Sequence, residues 1–253
     1  SQAIPHRTVA WSPQNPKNAA QSLQVHEPTR RGTIASRTFS LPLGLPEGSV
    51  QATNTTLHAA DRQRLLNELA IPADAKLIGT VGRWKLDKRL EDQLWAMDQI
   101  RCVRDDTYLL VVGDGPAKAH YERYAQLYHS ESRVRFLGWR DDVPRILSHL
   151  NLYCTTELTN RWEWSLAEAV AAGVPVVAAD STAHRRLVVQ HSTGLLADSR
   201  RRSELARWML KALETPTLAQ QLRAAGPGRM RQLFPLAPAI QPYAELLARL
   251  GKS

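Results

Sequence analysis

Six times between Leu77 and Leu196 a short apolar run gives way to a stretch with helical spacing. The runs are Leu77–Val81, Tyr108–Val112, Leu152–Cys154, Val174–Ala178 and Gly194–Leu196, with Val134–Leu137, interrupted by Arg135, as a further short strand. Between the first two, Leu90, Leu94, Met97 and Ile100 recur at steps of three or four, the period of an amphipathic helix. Tyr121, Tyr124 and Leu127 mark a second helix, and Val143, Ile146 and Leu147 a third, with Asp141 or Asp142 as its cap. Leu166 to Ala172 gives a fourth, and a fifth closes at Leu187–Val189. Runs that do not alternate with polar residues suit strands covered on both faces. Strands and helices in alternation make an α/β domain with a parallel sheet and helices on both sides, a Rossmann-like arrangement.

The rest of the chain behaves differently. Residues 1–50 carry six prolines and little periodicity, so they read as a remnant and linker rather than a domain. Past Asp198 the chain reads helical to its end, with Leu205, Trp208, Met209 and Leu213 on one helical stripe. No apolar run reaches the ~18–20 residues a membrane helix needs, and no basic-then-apolar leader is visible at the start. Cys102 and Cys154 are the only cysteines, which fits a reducing compartment such as the cytoplasm and neither a disulfide framework nor a zinc site. Apolar residues at 43% and charged residues at 23% are ordinary for a folded protein.

The net charge is +9 and it is uneven: +3 over residues 1–70, zero over 71–197 and +6 over 198–253. Arg200, Arg201 and Arg202 are the densest run. A basic end of this kind fits a solvated face, an acidic membrane surface, a neighbouring domain or nucleic acid.

In a doubly wound sheet, ligands bind beyond the carboxyl ends of the strands. The loops there are 82–89, 113–117, 137–142, 155–163 and 179–185. Loop 82–89 holds four cations, Arg83, Lys85, Lys88 and Arg89, where a helix begins. Cations do not complement a helix N-terminus, so an anionic ligand is one explanation, and a solvated loop paired with Asp87 and Glu91 is the other. Gly113-Asp114-Gly115-Pro116 allows close approach of a ligand, or a plain turn with Pro116 at the first helical position. Asn160 to Glu163 fits a capping box. Glu168, on a stretch of small apolar residues, needs a partner: a ribose diol, an arginine or a helix N-terminus.

Taken together, Gly79–Arg83 with Lys88, Val111–Pro116, Val134–Trp139, Glu168–Val177 and Thr193–Leu196 resemble the retaining glycosyltransferases of the GT-B fold, the group 1 glycosyl transferases. The likeness spans roughly residues 36–215. It implies one half of a GT-B fold: residues 1–45 as remnant and linker, with Val9–Ser12 as the last strand of the N-terminal half and Ser40–Leu45 as the linker, 46–215 as the nucleotide-sugar-binding domain, and 216–253 as C-terminal helices. It implies a nucleoside-diphosphate sugar as donor, with no further cofactor and no metal, and an acceptor that is a glycan or lipid-linked hydroxyl. Nucleic acid is then not an expected partner, while an acidic membrane surface suits the basic end. Arg83 and Lys88 would neutralise the leaving diphosphate and so act as catalytic groups, beside Gly82 and Gly113. Glu168 would hold the ribose, and backbone near Leu137 and Gly138 the base. The loop Asn160, Arg161, Trp162, Glu163 would face the donor sugar. Asn160 stands where the family usually has a Glu, and Glu163 where it has a Gly. Thr182, Ala183 and Arg186 stand where it has two glycines and a Glu. A catalytically silent nucleotide-binding or scaffold module of the same fold is the alternative these departures raise.

Overall fold

The computed structural model describes residues 8–12, 20–28, 34–42, 55–128, 130–158, 162–235, 240–242, 244–245 and 248. The chain forms two compact units, one of residues 48–230 and one of 1–47 with 231–253.

In the larger unit, α1 (Thr55–Glu68) leads into six parallel strands: β4 (Lys76–Val81), β5 (Thr107–Val112), β6 (Val134–Gly138), β7 (Leu152–Thr155), β8 (Val176–Ala179) and β9 (Leu195–Ala197). Strands β1 to β3 belong to the other unit. The six stand in the order β6-β5-β4-β7-β8-β9, each parallel to its neighbours. This is the doubly wound order of dinucleotide-binding folds, and its switch point falls between β4 and β7. Between the strands run α2 (Leu90–Arg101), α3 (Lys118–Leu127), α4 (Val143–His149), α5 (Trp164–Ala171) and α6 (His184–Leu187). After β9 come α7 (Arg202–Glu214) and α8 (Pro216–Leu233).

The core explains the continuous apolar runs. Every residue of β5, β7 and β8 is buried. On one face Ile78, Leu109, Val111, Leu152, Cys154 and Val177 pack with α2, α3 and α7. On the other face α4 lies on β4 and α5 on β7 and β8. There a Cβ on Gly79 would come within 2.3 Å of Leu150 Cδ1, so a larger residue would have to displace the Leu150 side chain just after α4. Gly226 of α8 allows a close approach to α5: a Cβ on it would lie 2.7 Å from Val170 O. Burial holds the Cys154 thiol far above its usual range, while Cys102 is exposed.

Several local expectations are corrected. Helix α1 went unread, because it is mostly polar and, among its described side chains, only Leu65 and Leu66 are buried. Pro116 lies in the turn before α3, which opens at Lys118 with Ala117 at its cap. Asp142 does occupy the cap position of α4, but its carboxylate makes no cap hydrogen bond. Instead it accepts two hydrogen bonds from Arg140 at 2.7 Å and one from Arg145. Two guanidinium charges outcompete a neutral backbone N–H for the same oxygens.

In the smaller unit β1 (Thr8–Ser12), β2 (Ala20–Pro28) and β3 (Ile34–Pro42) form an antiparallel meander, pairing Trp11 with Leu23 and Leu23 with Phe39. Val9–Ser12 is therefore a strand, but in an antiparallel sheet of its own rather than one closing a parallel half. A search for continuous apolar runs passes over the alternation in 20–28 and 34–42. Of the expected linker, Ser40–Pro42 ends β3, and 43–45 lie outside the described residues.

Candidate functional site

The carboxyl ends of β4 and β7 frame the switch point, and the loops after them carry most of the expected residues. Loop 82–89 is firmly held. The backbone of its buried Trp84 donates N–H to Asp114 O and its carbonyl accepts from Ala117 N, each at 3.0 Å. The Tyr121 hydroxyl donates to Lys85 O at 2.6 Å, and its ring meets Trp84 edge-on. Burial of Trp84 turns its neighbour outward: Arg83 is exposed and makes no ion pair among the described residues. Beyond the turn, Arg89 has a left-handed backbone (φ 50°) and opens α2. The Thr156 hydroxyl lies 2.8 Å from both Lys88 O and Arg89 O, and Gln93 donates to the same hydroxyl. The backbone of Lys88 is thereby tied to the loop after β7.

Glycine is required where the two loops meet. Gly113 has φ +112°, and a Cβ on it would fall 2.0 Å from Gly82 O. A Cβ on Gly82 would lie 3.5 Å from Lys88 Nζ, so Gly82, Gly113 and Lys88 do converge. Beside them an open cleft of about 580 Å³ runs over the ends of β4, β5 and β6, lined among others by Gly82, Arg83, Gly113, Trp139 and Val143. Leu137 and Gly138 end β6 next to it. Gly138 (φ +67°) accepts a hydrogen bond from Gly113 N at 2.7 Å and faces open space.

The ammonium of Lys88 is not bare. It donates to Glu157 and lies 3.9 Å from Glu163. Glu163 does not act in a capping box: α5 begins at Trp164, so Glu163 is at its cap position and makes no cap bond. Its carboxylate turns inward, only 5% of the residue being exposed. It accepts from the Thr155 hydroxyl at 2.8 Å and lies 2.9 Å from His184 Nε2. Burial pushes its pKa up, but the His184 hydrogen bond, the Lys88 charge and Thr155 together outweigh that, leaving it below the ordinary value. His184 Nδ1 in turn meets Ala179 O at 2.6 Å. Glu157, Thr155 and His184 escaped the sequence reading. Thr155 and Glu157 flank the end of β7 and His184 opens α6, and nothing in their local pattern signals that they meet.

Glu168 sits in α5, half-buried. Among the described residues its carboxylate has neither cation nor hydrogen-bond donor, and burial raises its pKa. Trp162 is partly buried, while Asn160 and Arg161 lie outside the described residues. Among the described residues no group of three or more His, Cys, Asp or Glu could hold a metal ion.

A six-stranded sheet wound in this order, with a glycine-bared, cation-bearing cleft at its carboxyl edge, defines a Rossmann-like α/β domain of the nucleotide-binding type. The model of the group 1 glycosyl transferases matches residues 61–229, and the chain belongs to that family. It is 25% identical over 182 residues to the lipopolysaccharide core biosynthesis glycosyltransferase LpsD of Rhizobium meliloti, covering 72% of this chain and 52% of that protein. It is 28% identical over 169 residues to the 2-deoxystreptamine glucosyltransferase of Streptomyces kanamyceticus, covering 65% and 44%. The chain spans about half the length of these curated relatives. Among solved structures, Anabaena HepE in complex with UDP-glucose shares the fold with a TM-score of 0.72 at 21% identity, covering 83% of this chain and 57% of that one. Sucrose-phosphate synthase from Thermosynechococcus elongatus aligns with a TM-score of 0.69 at 26% identity, covering 84% and 53%. The α/β unit is thus one half of a GT-B fold. No helix among the described residues is long and apolar enough to cross a membrane.

Proposed function

We propose that this chain supplies the donor site of a retaining glycosyltransferase that moves a sugar from a nucleoside-diphosphate sugar to a hydroxyl acceptor. The observation that carries this reading is the carboxyl edge of β4 and β5, where Gly82 and Gly113 bare the backbone beside the exposed Arg83, which makes no ion pair among the described residues, and the ammonium of Lys88. In the reaction the bond from the anomeric carbon to the diphosphate breaks, a bond to the acceptor oxygen forms, and the acceptor loses its hydroxyl proton. The diphosphate leaves with an added negative charge, and Arg83 and Lys88 stabilise it as it develops. Two cations so placed do this without a metal ion. Glu168, half-buried and lacking a partner among the described residues, accepts from the ribose hydroxyls. Backbone near Leu137 and Gly138 faces the base, and the 160–163 loop faces the sugar. The acceptor is a glycan or lipid-linked hydroxyl, and LpsD, named for lipopolysaccharide core biosynthesis, is a relative of that kind. The basic C-terminal part suits a cytoplasmic protein resting on an acidic membrane rather than one bound to nucleic acid.

One observation favours a second reading, a nucleotide-binding module without catalysis: Glu157 and Glu163 already hold the Lys88 ammonium. Calorimetric titration with UDP, GDP and ADP, beside an Arg83→Ala, Lys88→Ala double variant, tests the donor site. The expected result is binding of at least one nucleotide by the native chain and a loss of roughly 100-fold or more in the variant, since charge-assisted hydrogen bonds contribute about 1.5–3 kcal/mol each. A folded native chain that binds none of the three would sink the donor reading. Binding without transfer of sugar to any acceptor would leave the second.

A further inference from the structure

The two carboxylates around the Lys88 ammonium are not equivalent. Glu163 lies 3.9 Å away, beyond hydrogen-bond reach. Its oxygens are spent elsewhere: both accept from the Thr155 hydroxyl, at 2.8 and 2.9 Å, and one lies 2.9 Å from His184 Nε2. Thr155 ends β7 and His184 is anchored at Ala179 O, so Glu163 is fixed to the sheet. Glu157 is the carboxylate in contact with the ammonium. It stands in the loop after β7, outside any strand or helix. Its neighbour Thr156 brings it there, with a hydroxyl 2.8 Å from Lys88 O.

The same ammonium borders the bare side of Gly82, since a Cβ on Gly82 would lie 3.5 Å from Lys88 Nζ. A diphosphate resting against Gly82 and Arg83 therefore meets an ammonium that Glu157 already holds. The pair is largely out of water, with 17% of the Lys88 side chain and 9% of the Glu157 side chain exposed. At such burial two anions on one cation repel each other with little screening. Arg83 is exposed and makes no ion pair among the described residues, so it meets the diphosphate without breaking one.

We propose that Glu157 is an internal competitor of the donor's diphosphate for the Lys88 ammonium, giving it up in exchange for phosphate and so setting the donor affinity. The proposal rests on the donor reading above. Glu163, locked by Thr155 and His184, takes no part in the exchange.

The test is calorimetric titration of native chain, Glu157→Gln and Glu157→Ala with inorganic pyrophosphate, UDP, GDP and ADP, each variant made also in a Lys88→Ala background. Glu157→Gln should tighten pyrophosphate, and each nucleotide that binds, by about tenfold, the order of one charge-assisted contact released. Glu157→Ala should do the same, which assigns the gain to the lost charge rather than to the new amide. The gain should be clearly larger with Lys88 present than in the Lys88→Ala background, because only competition for the ammonium frees a cation. Circular dichroism checks that each variant is folded. Unchanged or weaker affinity in both Glu157 variants overturns the proposal and makes Glu157 a support for Lys88. A gain as large or larger without Lys88 also overturns it, since Glu157 then merely repels the diphosphate through space. In both of these outcomes the native chain still binds nucleotide, and the donor reading stands. If neither native chain nor Glu157→Gln binds any nucleotide, the donor reading falls and this proposal with it.

Discussion

Gly113→Ala should destabilise the α/β unit by about 3–5 kcal/mol, among the largest effects a single methyl group can have. Two costs add. The backbone at Gly113 has φ +112°, which an L side chain rarely adopts, and the new Cβ would lie 2.0 Å from the carbonyl oxygen of Gly82. The atom in the way is backbone, so no rotamer change relieves the clash. Either the loop after β4 or that after β5 must move, and both carry donor-site residues. Gly138→Ala is the control. It also has positive φ, at +67°, but a Cβ there meets nothing within 4 Å. Its cost should be only the left-handed backbone penalty of about 1–2 kcal/mol. Urea unfolding midpoints of the two variants, compared at equal slope, decide the point. Equal destabilisation would mean that the close approach of the two loops is not tight.

The second large effect is at Glu163. Glu163→Ala removes the acceptor that serves Thr155 and His184 and one of the two carboxylates around Lys88. In a site this buried, stranding the partners of an ionic network costs about 3–5 kcal/mol. Glu163→Gln keeps an acceptor oxygen and should cost less. The pH dependence separates charge from shape. The folded-state pKa of Glu163 lies below its ordinary value of 4.5, so the carboxylate contributes stability that is fully present above that value. That contribution is lost as pH falls below about 4.5 through the folded pKa. Native protein should therefore lose stability on acidification more steeply than Glu163→Gln in the same window. Indistinguishable acid transitions would show that the Glu163 carboxylate is not held by His184 and Lys88 in solution.

These two residues also show where local reading stops. The pattern Asn160 to Glu163 satisfies a capping box in one dimension, but α5 begins at Trp164. A carboxylate at a helix start can either cap backbone N–H groups or take charged and hydroxyl partners across the fold. Here a histidine 21 positions later wins, because both groups are buried and neither has water to turn to. Gly113 was legible as a tight turn. That its tightness comes from Gly82, thirty-one residues earlier, was not.

The sequence by itself determined the sheet, since strands buried on both faces must be continuously apolar and the helices between them must be amphipathic. It also placed Gly82, Arg83, Lys88 and Gly113 at strand ends, because a strand that stops at glycine and meets a helix leaves its loop on the carboxyl edge. Strands β2 and β3 escaped because their apolar residues alternate with polar ones, and α1 because its apolar residues are too few to stand out. Only the tertiary structure decided that Lys88 shares its charge with Glu157 and Glu163, that Glu168 stays without a partner among the described residues, and that Trp139 faces the cleft uncovered. Ion pairing and exposure depend on distances between segments far apart in the chain, and local periodicity carries no record of those distances.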